Sequence, residues 1–84
     1  MDCPLDEVIT LVSECEFAAV SLGMEFRYWD RNIGTRDDHH SGCFYDSYSG
    51  QIDLYFNRMI NPSVTKPKAE DVGICLTDGI HVMR

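Results

Sequence analysis

Long apolar runs are missing from this chain of 84 residues. None approaches the roughly 20 consecutive apolar residues of a bilayer-spanning helix, and the stretch after Asp2 lacks the basic region of a secretory leader. The expectations that follow are no membrane contact and a cytoplasmic location. Bases are scarce as well. Seven Lys and Arg stand against fourteen Asp and Glu, a net charge of −7, and such a field repels phosphate, so direct nucleic-acid binding is not expected.

Motifs of specific chemistry are also lacking. Gly34, Gly42, Gly50, Gly73 and Gly79 each stand alone at turn positions, so no glycine-rich phosphate loop exists. Serines and histidines coexist, but no G-x-S-x-G elbow or comparable context isolates a nucleophile. Cys3, Cys15, Cys43 and Cys75 are widely spaced, with no C-x-x-C pair. Without a leader they read as reduced, mostly buried thiols, with two disulfides as the alternative. The protein is therefore expected to be non-catalytic and to need no cofactor.

What is present is an ordinary globular composition, 44% hydrophobic and 25% charged, which argues against disorder. The length allows one domain, residues 1–84, with one modest core.

The longest periodic segment runs from Pro4 to Leu22 and reads as a helix. Pro4 suits the first helical position, Asp6 and Glu7 put negative charge in the first turn, and Gly23 suits a left-handed stop. At about 100° per residue, Leu5, Val8, Ile9, Leu11, Val12, Cys15, Ala18, Ala19, Val20 and Leu22 fall in one apolar arc. Two residues depart from the pattern: Phe17 falls in the polar arc and Glu16 in the apolar one.

Shorter β-like pieces follow. Residues 24–30 alternate and are aromatic, and residues 31–42 lose all periodicity and read as a long surface loop. Residues 43–46 and 51–59 flank the turn DSYSG; the second arm also fits a helical stripe, but its aromatic content and the adjoining turn favour a strand. Residues 61–71 form a second loop, and residues 73–77 and 80–83 face each other across Asp78-Gly79, a favoured two-residue turn.

The expected fold is α+β with two layers. An N-terminal helix packs on one face of a small antiparallel sheet of about four to five strands, sharing one core with Phe26, Tyr28, Phe44, Ile52, Leu54, Phe56, Ile74, Leu76 and Val82.

The candidate sites are modest. Glu7, Glu14 and Phe17 lie on the outer arc of the helix, where a large aromatic group is out of place unless it meets a partner. Trp29, beside Arg27 and Tyr28, offers a stacking surface, and Asp37 and Asp38 add acids in the long loop. Together these residues suggest a small acidic binding protein that engages, and inhibits or modulates, a basic macromolecular partner, such as a nucleic-acid-binding protein or complex. By size and charge alone it is similar in kind to the small inhibitors that phages and plasmids direct against host defence.

Two alternatives stand beside this reading. His39, His40 and Cys43, with Asp37 and Asp38, are the residue types that hold a transition metal, although neighbours in an extended loop diverge. A small-ligand sponge or sensor with a pocket lined by Trp29 and tyrosines is the other. Monomer and homodimer are both open.

Overall fold

The computed structural model describes residues 3–27, 37–46 and 53–83. One helix, α1 (Val12–Leu22), packs against a five-stranded sheet made of β1 (Glu25–Arg27), β2 (Gly42–Asp46), β3 (Asp53–Asn57), β4 (Asp71–Thr77) and β5 (Ile80–Met83). The fold class is the expected α+β, with a mixed, curled sheet in place of a purely antiparallel one. Its strand order is β1-β3-β2-β4-β5. Strand β3 turns back antiparallel beside β2, pairing Cys43 with Phe56 and Tyr45 with Leu54, and so lies between β2 and β1. That insertion makes β1 and β3 run parallel, with Phe26 opposite Leu54. Residues 53–57 form a strand, which resolves the strand-or-helix ambiguity of that arm.

The helix is shorter than its apolar periodicity suggests. Leu5–Glu7 form one 3-10 turn, Val8 makes an isolated β-bridge to Cys75, and α1 starts only at Val12. The Cys3–Cys75 disulfide holds the N-terminal segment against β4, and the β-branched run Val8, Ile9, Thr10 is at ease in extended backbone there. Leu5, Leu11 and Val20, placed by periodicity on the buried arc, are exposed. The stop at Gly23 is as expected. Its φ is 70°, and its N–H is directed at the carbonyls of Ala19 and Val20.

Gly42 opens β2 where the N-terminal segment crosses it. A Cβ at this residue, whose φ is +72°, would drive into the Ile9 carbonyl and the Val8 side chain. The last hairpin is also as expected, Ile80–Met83 pairing with Ile74–Thr77 across Asp78 (φ 52°) and Gly79 (φ 78°).

The cysteines depart from the thiol reading. Cys3 bonds Cys75 and Cys15 bonds Cys43, with Cα separations of 5.7 and 5.5 Å, and none is free. Wide spacing in the chain concealed the pairing, since only the fold brings residues 72 and 28 positions apart face to face.

Strand alternation gives the sheet two unlike faces. Toward α1 point Cys43, Leu54, Phe56 and Ile74, which pack with Ile9, Cys15, Ala18 and Ala19, while Phe26 and Leu76 border them. Phe44 belongs to the other face. Its ring lies between those of His39 and Tyr55, with centroids 4.8 and 5.4 Å away, so it does not join the core under the helix. Val82, opposite Cys75, takes that face too. Tyr28 and Ile52, assigned to the core from sequence, lie outside the described residues.

Candidate functional site: the α1/β5 rim and the polar layer

On the face away from α1, residues 37–41 and 57–71 build a covering layer. The N–H of Lys66 bonds the Asp37 carbonyl, and that of Lys68 bonds the Asp38 carbonyl at 3.3 Å. These bonds press His39, His40 and Ser41 onto the sheet, where all three are buried. His39 and His40, read from sequence as part of a surface loop, are therefore interior.

Each histidine has a defined place. His39 Nδ1 lies 2.8 Å from Asp71 Oδ2 in a buried pair, and its Nε2 is 4.0 Å from Asp38, which also faces Lys68 Nζ at 3.7 Å. His40 Nε2 donates to the Asp71 carbonyl at 3.2 Å, and the ring rests over Gly73, where a Cβ would come within 3.0 Å of its Nδ1. The Asn57 side chain donates to the His40 carbonyl and accepts from the N–H of Met59, closing β3. Ser41 bonds Thr65 at 3.3 Å.

Within this network Asp71 Oδ1 is buried without a hydrogen-bond partner among the described residues. Apart from that oxygen, the buried side chains named above bond within the layer or to its backbone. Cys43 Sγ is committed to Cys15, so it offers no thiolate, and among the described residues no group of three His, Cys, Asp or Glu is placed to hold a metal. The loop therefore does not gather the ligand set that its composition suggested.

The second arrangement joins α1 to β5. Glu14, Phe17 and Ser21 stand three to four residues apart, on one helical flank, and His81 on β5 meets all three. His81 Nε2 lies 2.7 Å from Glu14 Oε2, Nδ1 lies 2.8 Å from Ser21 Oγ, and the Phe17 ring stands edge-on to the imidazole at 5.6 Å. Nothing in the spacing of Ser21 and His81, sixty residues apart, announces this cluster.

Hydroxyl, imidazole and carboxylate in line have the order of a hydrolytic relay. Two features oppose that use. Ser21 Oγ also bonds the Ala18 carbonyl at 3.1 Å, and Ser21 occupies the last turn of α1, where free carbonyl oxygens disfavour a developing oxyanion. The cluster instead ties the helix to the edge strand. Beside it opens a cleft of about 300 Å³, lined by Phe17, Ser21, Leu22, Gly79, Ile80 and His81.

The fold separates the six residues assigned from sequence to partner binding. Glu14 and Phe17 are together at the cleft. Glu7 accepts a hydrogen bond from Thr77 Oγ1 at 2.9 Å, which brings it to the same hairpin end, since Thr77 pairs with Ile80. Asp37 and Asp38 lie by the opposite end of β4, near Asp71, six residues from Thr77 or about 20 Å at the usual strand rise. Trp29 is outside the described residues. The residues that sequence reasoning missed are Ser21, Ile80 and His81; an apolar residue directly after a hairpin turn was the one available hint.

No helix among the described residues is long and apolar enough to cross a membrane. Compared with protein-family models, curated proteins and solved structures, the chain matches none.

Proposed function

We propose that this chain is a small acidic binding protein that grips a basic protein partner at the rim between α1 and the β4–β5 hairpin, and modulates or inhibits it by occupying its surface. The observation that carries this reading is the pair Phe17 and Ile80, 61% and 64% exposed on the walls of one cleft. Large apolar groups left in water beside each other favour a contact surface. Around them stand the carboxylates of Glu7, Glu14 and Asp78, in a chain of net charge −7. An apolar centre with an acidic rim suits a partner that presents an apolar anchor ringed by Lys or Arg. No catalysis and no cofactor enter this reading.

The two disulfides bear on where it works. Disulfides persist in oxidising compartments and are rare in cytosol, so this proposal sets the protein in an oxidising environment in place of the cytoplasm. The metal alternative loses support because Cys43 and His39 are engaged elsewhere.

The test is affinity capture of basic proteins from the native source with wild-type, Phe17→Ala and Glu14→Lys chains. Specific binding that weakens with salt, and falls at least tenfold in each variant, or about 1.4 kcal/mol, is expected. Capture indifferent to both changes sinks the reading.

A further inference from the structure

We infer that the cleft between α1 and the β4–β5 turn is a subsite for one arginine side chain, its stem between Phe17 and Ile80 and its guanidinium at the C-terminal end of α1. The inference deepens the proposed function, on which it rests for its partner. A single side chain then supplies both the apolar anchor and the positive charge that suit the rim.

The end of the helix supplies the first attraction. The last carbonyls of a helix together act as about half a negative charge and favour a cation. In α1 the carbonyls of Ala19 and Val20 are taken by the N–H groups of Gly23 and Met24, and that of Ala18 by the Ser21 hydroxyl. Those of Ser21 and Leu22 accept no such bond among the described residues, and both residues line the cleft. The last turn of α1 also holds no basic residue of its own. An incoming guanidinium provides the charge that this helix end lacks.

The walls suit the rest of the side chain. Phe17 meets His81 edge-on and is 61% exposed, so its ring is open to stacking by a cation. Ile80, 64% exposed, offers aliphatic surface to the stem. Asp78 is exposed in the turn beside Gly79, which lines the cleft, and adds a carboxylate. His81 brings no competing donor, since its two nitrogens are engaged by Glu14 and Ser21. The volume of about 300 Å³ admits one long side chain.

These groups favour arginine over lysine. A guanidinium is planar, weakly hydrated and donates through a fixed fork, so it stacks on Phe17 while reaching separate oxygens; an ammonium is a compact, strongly hydrated point charge. The net charge of −7 adds a long-range attraction that salt screens.

Titration of the oxidised chain with N-acetyl-arginine amide, followed by NMR chemical shifts, tests the inference. Saturable shifts centred on Phe17, Ser21, Leu22 and residues 78–81 are expected, with a dissociation constant of order 1 mM. Binding should weaken roughly threefold between about 0.05 and about 0.5 M salt. N-acetyl-citrulline amide, which has the shape without the charge, and N-acetyl-lysine amide should each bind about fivefold more weakly. Asp78→Asn keeps a favoured Asn-Gly turn without the carboxylate, and Phe17→Leu keeps apolar bulk without the ring. Each is expected to weaken arginine binding about threefold, with the melting temperature held within about 3 °C. No saturable shift up to about 20 mM, shifts centred elsewhere, citrulline or lysine binding as tightly as arginine, or binding indifferent to salt or to both variants overturns the inference. A basic partner captured through Phe17 and Glu14, with the arginine derivative leaving the cleft unshifted, overturns it while leaving the proposed function in place. Arginine binding in the cleft without any captured partner does the reverse.

Discussion

The two faces of the sheet are both covered, but by opposite means. Under α1 the cover is apolar: Leu54, Ile74, Cys43, Cys15 and Ala18 are wholly buried, and stability there follows from area removed from water. On the other face the cover is a polar layer in which His39, His40, Ser41, Asn57, Thr65 and Asp71 are buried and bonded to one another or to backbone. Burying such groups is unfavourable unless each finds a partner, so the layer depends on geometry in a way that the apolar side does not. Each face carries one disulfide, Cys15–Cys43 beneath the helix and Cys3–Cys75 across from it. A chain too small for a large core is held by these two cross-links. The difference teaches why an acidic, histidine-bearing loop need not be a site: its groups are used to seal a sheet face.

Breaking the cross-links is expected to have the largest effect on both faces. Loops closed over 72 and 28 residues correspond to about 4 kcal/mol each in the chain-entropy account, against a total stability of order 5 kcal/mol for a domain of this size. Full reduction should therefore unfold the chain at room temperature, as read by circular dichroism, and the Cys15→Ala/Cys43→Ala and Cys3→Ala/Cys75→Ala pairs should each lower the melting temperature steeply. A reduced chain that melts like the oxidised one would show that packing alone suffices on both faces.

Next come substitutions that separate the faces. Leu54→Ala, which opens a void beneath α1, is expected to lower stability by about 3 kcal/mol. Asp71→Asn is the counterpart in the polar layer. It keeps an acceptor for His39 but buries an amide with an unmet donor, for a loss of about 2 kcal/mol. Urea denaturation measures both. A loss at Asp71 below about 0.5 kcal/mol would mean that the polar layer is sealed by its backbone bonds, with little help from the buried pair.

The smallest effect is expected where α1 meets the edge strand. His81→Ala removes two side-chain hydrogen bonds from a partly exposed cluster and should reduce stability by about 1 kcal/mol, seen as faster amide exchange in β5 than in β3. Uniform exchange across the sheet would mean that this latch does not hold the edge.

Much of the architecture is legible along the chain. Turn chemistry at Asp78-Gly79 identifies the last hairpin, and alternation of Leu54 and Phe56 identifies β3 despite a competing helical stripe. The helix start was not legible. Val8, Ile9 and Leu11 fit a helical arc by periodicity, but a bridge and a disulfide to Cys75 take that segment into extended backbone, and tertiary pairing overrides local preference. Of the candidate site, Glu14 and Phe17 stood out as an acid and an aromatic on a polar arc. Ser21, Ile80 and His81 did not, because their roles exist only once β5 lies against α1.

By itself, then, the sequence determined the charge balance, the helix stop at Gly23, the alternating strands and the Asp78-Gly79 turn, all of which depend on residues within a few positions of one another. The tertiary structure alone decided the cysteine pairing, the burial of His39 and His40, the parallel β1–β3 contact and the meeting of Glu14, Phe17, Ser21 and His81. Those features join residues up to 72 positions apart, and periodicity and propensity, being local, hold no information on which distant groups the closed chain brings together.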